Sequence, residues 1–247
     1  MEHPATLKFV KDCSDHWGVD IAWLELGDYY EDGVYEKGVH KGKPILKSTT
    51  VEVTFDTASR KGEPFSRLIE KRSYAPNPVA RFCTSELKVR RMRDYLNEID
   101  TGSWVQFIGI RADEPRRVHK MKGKMEEGHE RHLPLFHDGV TKQEVGGFWK
   151  VHPFDLELPN HNGTTDLGNC TLCFLKGFKK KLSIVQRNPD LADWWIDQEA
   201  KLSEKVGTGA FFRSDQPSYA DMKRMAQGQH DLFADYDDED IACFCGD

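Results

Sequence analysis

Cys170 and Cys173 stand at Cys-x-x-Cys spacing in the stretch Asn169-Cys170-Thr171-Leu172-Cys173-Phe174-Leu175-Lys176-Gly177, between a Gly/Asn-rich loop and a basic segment. Two thiols spaced this way can face one metal ion. The same spacing serves structural zinc, iron–sulfur clusters and redox disulfides, so the other four cysteines have to discriminate. Cys83 lies in Ala80-Arg81-Phe82-Cys83-Thr84-Ser85-Glu86-Leu87-Lys88-Val89-Arg90, again at the mouth of a basic helix. Cys243 and Cys245 fall in the last five residues, and Cys13 falls inside a helical pattern, where it is expected in the core.

A second stretch carries charge where ligands bind. Trp104 to Ile110 reads as a buried strand and runs into Gly109-Ile110-Arg111-Ala112-Asp113-Glu114-Pro115-Arg116-Arg117. Open α/β sheets bind ligands beyond the carboxyl ends of their strands, so this end is an expected anion site; a solvated, charge-rich turn is the competing reading. The histidines of the 119–147 segment, His119, His129, His132 and His137, show no i, i+4 pair on a helix and are not read as metal ligands.

Hydrophobic periodicity supplies the elements that hold these residues. Leu7, Val10, Cys13 and Trp17 step at three and four, predicting an amphipathic helix over 5–17 closed by Gly18. A strand over 19–26, a loop or loose hairpin over 27–48 and a strand over 51–55 follow, then a short helix over 64–71. Thr84 or Ser85 caps the next helix, with Leu87, Met92, Tyr95, Leu96 and Ile99 expected inside and Lys88, Arg90, Arg91 and Arg93 outside. After Cys173 a helix is expected to Arg187 with Lys176, Lys179, Lys180 and Lys181 exposed, and Pro189 opens another whose Leu191, Trp194, Trp195 and Leu202 pack inward. The helix–strand alternation predicts an α/β fold with an open, mainly parallel sheet and flanking helices, followed by a helical and irregular carboxyl part. The expected divisions are 1–117, 118–215 around the cysteine pair, and a mobile acidic tail over 216–247.

With 247 residues and 38% hydrophobic content the chain can bury a full core. No run approaches the ~18 apolar residues of a membrane span. The amino terminus lacks a secretory pattern, and a cytoplasmic location is expected. The net charge is −6, and from Gln216 onward eight acidic residues face two basic ones, leaving the body with 33 of each sign. A globally basic nucleic-acid footprint is therefore excluded, though local clusters can still bind phosphates.

Several of these segments occur together in a recognisable order: His3-Pro4-Ala5-Thr6-Leu7 before a helix and strand, Arg81-Phe82-Cys83 with Lys88, Gly109 to Glu114, Leu133-Pro134-Leu135, and the Cys170/Cys173 pair. That order resembles the phosphoadenosine phosphosulfate reductase family of the PP-loop ATP-pyrophosphatase superfamily, especially its phage and prophage type, over residues 2 to 205. The resemblance implies a PP-loop-like sheet, an adenine nucleotide or adenylylated sulfate bound near Lys88, Gly109, Arg111, Glu114 and Arg117, and thiol chemistry supplied with electrons by a thioredoxin-like reductant. Arginine suits such a site because its planar fork matches phosphate oxygens.

Two departures from the family pattern bear on function. The phosphate loop, a Ser-Gly-Gly-Lys-Asp-Ser-like turn after the first strand, has no counterpart, because the chain begins inside the following Pro-x-Thr motif. A preceding strand is expected from a longer start or from a partner chain, homo-oligomeric or not; otherwise nucleotide chemistry has been lost and the protein binds or regulates without catalysing. Secondly, cluster-bearing relatives carry a Cys-Cys pair where this chain has Phe82-Cys83. Cys83, Cys170 and Cys173, with Cys243 or Cys245, then hold an iron–sulfur cluster of [4Fe-4S] type, hold zinc with His161 or the tail completing it, or remain a plain thiol set. Cys245-Gly246 also matches the place of the family's mobile catalytic cysteine, without its following hydrophobic residue and histidine. A further alternative is a cluster-dependent sulfur transferase acting on nucleic acid through the Lys176–Lys181 and Arg90–Arg93 faces.

Overall fold

The computed structural model describes residues 2–38, 41–99, 102–121, 129–160, 164–207 and 210–228. Helix α1 (Pro4–Trp17) opens with the His3 ring accepting from the Ala5 amide at 3.2 Å and closes at Gly18, whose φ of 62° suits a residue without Cβ. Its apolar stripe does not enter the main core. No α1 residue is fully buried, Cys13 is half-buried, and Phe9, His16 and Trp17 meet the rings of Trp149, His152 and Phe154 instead.

Strands β1 (Trp23–Val34) and β2 (Pro44–Val53) form an antiparallel hairpin in register from Trp23 opposite Val53 to Glu31 opposite Ile45, with an irregularity before Val34. The stretch expected as a loop or loose hairpin thus supplies both arms. Helix α2 (Glu63–Arg72) buries Phe65, Leu68 and Ile69, with Leu68 packed against Leu26 of the hairpin and Phe82. A helical turn α3 (Phe82–Thr84) passes through a π-helical segment (Ser85–Val89) into α4 (Arg90–Glu98). Wider π turns often occur at functional sites, and this one separates Cys83 from the basic helix.

The face of α4 turned to the hairpin corrects the sequence expectation. Arg91 is 1% exposed, whereas Met92 and Ile99 are 42% and 52% exposed. The hairpin presents oxygen atoms there, not apolar side chains. The Arg91 guanidinium donates to the carbonyls of Glu86 and Thr49 and to the Thr50 hydroxyl, and it faces Asp94 at 3.3 Å.

Strand β3 (Trp104–Phe107) pairs in parallel with β4 (His129–His132). Having this one neighbour among the described residues, β3 leaves Val105 47% and Phe107 71% exposed, so the apolar run does not make a buried strand here; Ile110, just beyond it, is fully buried. Helix α5 (Pro115–Met121), α6 (Pro134–His137) and α7 (Lys142–Val151) complete this region, and α7 starts with a capping box of Thr141 and Glu144.

Helix α8 (Phe178–Arg187), a 3₁₀ turn (Pro189–Ala192), α9 (Asp193–Val206) and α10 (Tyr219–Gly228) form the helical carboxyl part. The largest core joins Phe65 and Ile69 of α2 to Leu172, Phe174, Leu182, Val185, Trp195, Phe212 and Met222. Helix α10 lies inside the segment expected as a mobile tail, and it packs because Tyr219 and Met222 precede the acidic block and are buried. The fold is mixed α/β. No helix among the described residues is long and apolar enough to cross a membrane.

Candidate functional site

The Cys170–Leu175 loop is held by hydrogen bonds to its own carbonyls. The Cys173 amide donates to the Cys170 carbonyl at 3.2 Å and the Lys176 amide to the Cys173 carbonyl at 2.9 Å, curling the chain, and both cysteines line one cavity. Buried carbonyls must be paired, and three side chains do this work. Lys176 Nζ donates to Asp166 O and Thr171 O at 2.6 and 2.8 Å, the Tyr219 hydroxyl to Leu172 O at 2.6 Å, and Arg213 to Phe174 O at 3.2 Å. Asn169, with φ of 55°, makes the left-handed turn into Cys170, and the Glu2 backbone forms an antiparallel bridge with Cys170.

These bonds overturn the exposed basic face expected after Cys173. Lys176 is 8% and Lys181 1% exposed, and Lys179 and Lys180 are half-buried. Lys176 is drawn in by the loop carbonyls. The Lys181 ammonium lies 5.1 Å from the centre of the Tyr219 ring, and burial pulls its pKa down to about 8, with Arg213 adding to that shift.

Cys83, Cys170 and Cys173 line one cavity of about 250 Å³. Its walls are largely apolar, from Leu24 and Leu26 of β1, Phe65 of α2, Leu87, Phe174 and Trp195, while Arg81, Lys88, Glu2 and Glu25 bring charge to it. Lys88 pairs with Glu2 at 3.5 Å. The Glu25 carboxylate accepts from the amide and hydroxyl of Ser59 at 2.6 and 2.8 Å. Sequence reasoning did not single out Glu25, although a carboxylate within the apolar run Ala22-Trp23-Leu24-Glu25-Leu26 is a signal for such a role.

Burial, with the neighbouring Cys170 adding to it, pushes the Cys83 thiol up to about 11 and the Cys173 thiol up to about 12. Cys170 is also raised by burial. At neutral pH the cavity therefore holds neutral thiols, and ionising one disfavours the next unless positive charge joins them. Three sulfurs offer the soft donors of an iron–sulfur or zinc site, but among the described residues no group of three or more His, Cys, Asp or Glu is arranged to hold a metal ion. His161, Cys243 and Cys245 lie outside the described residues.

The nucleotide residues expected from the sequence divide into two places. Lys88 lies at the thiol cavity; Gly109, Arg111, Glu114 and Arg117 do not line it. They form a self-paired turn after β3. Glu114 accepts from the Arg111 amide at 3.2 Å and from Arg117 at 2.7 Å, while Arg111 also bonds Asp113 at 2.9 Å, and Asp113 accepts from the Lys142 amide at 3.2 Å. Both arginines are thus held by carboxylates in this conformation.

Comparison with protein families finds no matching family, and comparison with solved structures finds no match. The chain is similar to the uncharacterized nin region protein ORF290 of Escherichia phage lambda, with 30% identity over 187 residues, 72% of this chain and 54% of that protein. It spans about half the length of this curated relative.

Proposed function

We propose that the protein handles an adenylylated sulfur compound by thiol chemistry, in the manner of the phosphoadenosine phosphosulfate reductases it resembles, on the open, mainly parallel sheet of that family. The observation that carries this reading is the meeting of Cys83, Cys170 and Cys173 with Arg81 and Lys88 at one cavity. The parallel pairing of β3 with β4 is compatible with it. Arg81 and Lys88 attract the anionic sulfate, and apolar walls strengthen that attraction by excluding water. The cavity is smaller than the ~300–1,000 Å³ of sites that bury a whole drug-sized ligand, so it takes the sulfate end of the molecule and leaves the nucleotide outside. The small thiolate fraction of one cysteine, its proton lost to solvent, attacks the sulfur and displaces the nucleotide; the thiolate fraction of a second attacks the sulfur of the modified cysteine, releasing sulfite and leaving a disulfide. Two electrons from a thioredoxin-like reductant restore the thiols. The test is sulfite release from adenylyl sulfate or its 3′-phosphorylated form with dithiol reductant. Turnover lost in both Cys170→Ser and Cys173→Ser supports the reading, and turnover absent from the wild type with either substrate defeats it.

A second reading is favoured by the same three sulfurs: a thiol-held iron–sulfur cluster or zinc ion. Its ligands would be Cys83, Cys170 and Cys173, with Cys243 or Cys245 as the fourth. Iron, acid-labile sulfide and zinc measured on anaerobically purified protein decide it, with Cys170→Ser expected to release whichever metal is found.

A further inference from the structure

A second cleft, of about 530 Å³, lies between the outer half of the β1–β2 hairpin and the helices α2 and α9, and shares no lining residue with the thiol cavity. Four cations line it, Lys43, Arg67, Lys71 and Lys205, against two carboxylates, Asp28 and Glu70. The excess positive charge is notable in a chain whose net charge is −6. The cations come from both walls: Lys43 from the turn before β2, Arg67 and Lys71 from α2, and Lys205 from the end of α9. Arg67 faces Asp28 at 3.9 Å, Lys71 Nζ donates to the Ser48 hydroxyl at 2.6 Å, and Lys205 Nζ donates to Glu70 O at 3.0 Å.

Two aromatic rings complete the cleft. The Tyr35 hydroxyl donates to Leu46 O at 2.9 Å and accepts from the Leu46 amide at 3.1 Å, which fixes its ring as part of the wall. Tyr30, on β1, is 72% exposed. A fixed ring, an exposed ring and cations on two walls are the components with which proteins hold unpaired bases and track a phosphodiester backbone.

We propose that this cleft binds single-stranded nucleic acid, one base stacking on Tyr30 against the Tyr35 wall while the flanking phosphates lie along Lys43, Lys71 and Lys205. The volume suits one nucleotide unit, and charge spread over both walls suits a backbone that continues past it. Burial pulls the Lys71 pKa down, a cost that an adjacent phosphate offsets. The site is independent of the thiol chemistry, so either can fail without the other.

The test is fluorescence anisotropy of a labelled oligothymidylate of about twelve nucleotides titrated with the full chain at about 50 and 200 mM salt. Tyr30→Ala is expected to weaken binding about five- to a hundredfold while Tyr30→Phe retains it. Lys43→Ala and Lys205→Ala are each expected to flatten the salt dependence by about 0.7 in logarithmic slope. Adenosine monophosphate at equal concentration is expected to leave the oligonucleotide bound. The proposal is overturned by no binding at the lower salt, by Tyr30→Ala binding as the wild type does, or by equal competition from the mononucleotide, which would assign the cleft to a free nucleotide.

Discussion

The Tyr219 hydroxyl donates a 2.6 Å hydrogen bond to the carbonyl of Leu172, between the two cysteines of the pair. Helix α10 thereby holds the thiol-bearing loop from below, although Tyr219 lies far along the chain from it. Tyr219→Phe keeps the ring's packing and leaves that carbonyl unsatisfied, which is expected to cost about 1–3 kcal/mol in denaturant unfolding. Loosening of the loop should also speed alkylation of Cys173. Unchanged stability and unchanged thiol reactivity would show that the bond does not position the loop.

Thiol reactivity should follow the buried environment. With the Cys83 pKa at about 11, only about one molecule in a thousand carries its thiolate at pH 8, against about a quarter for an ordinary thiol near 8.5. Iodoacetamide labelling followed by peptide mass mapping should find Cys83 and Cys173 slow at pH 8 and about tenfold faster per pH unit up to about pH 11. Rapid labelling of both at pH 7 would place positive charge, from a residue or a bound metal, beside them.

The convergence of the three cysteines was legible because Cys83 and Cys170 both stand where a loop enters a basic segment, and loop-to-helix junctions are where side chains can turn toward a common point. The helix boundaries around Gly18 and Pro189 were legible for similarly local reasons. Strand β4 was not, since His129-Glu130-Arg131-His132 has no apolar alternation and becomes a strand only by pairing with β3. Lys176, Lys181 and Arg91 were misplaced for one shared physical reason. Periodicity tells which residues share a face but not whether that face meets apolar groups or the carbonyls and rings that recruit a cation.

Arg91 gives that reason a measurable size. Its guanidinium pairs the half-buried carbonyls of Glu86 and Thr49 together with the Thr50 hydroxyl, so Arg91→Met fills similar space and removes the donor from several acceptors at once. A loss on the order of 3 kcal/mol is expected in chemical denaturation. Met92→Ala, on the exposed side of the same helix, should cost well under 1 kcal/mol. Equal effects at the two positions would return the helix to the orientation expected from its apolar spacing.

Lys181 provides the test by pH. Its ammonium is buried against the Tyr219 ring and faces Arg213, Glu199, Asp215 and Cys173, and burial holds its pKa at about 8 in the folded chain, against about 10.4 in the unfolded one. Between those values the unfolded chain binds more protons, so the Lys181 contribution to stability improves as pH rises through the window. Below about pH 8 both states are protonated and the folded state bears the whole cost of burying the charge. Lys181→Met should therefore stabilise the protein at pH 7, by on the order of 1–3 kcal/mol, with the advantage shrinking toward nothing near pH 10.5. The raised pKa values of Cys83 and Cys173 act in the opposite direction in alkaline solution, because there the folded chain keeps protons that the unfolded chain has lost. Both proteins carry those cysteines, so the difference between their unfolding free energies at each pH isolates the lysine. A difference that stays constant from pH 7 to 10 would mean that Lys181 keeps an ordinary pKa and that its burial carries no electrostatic cost.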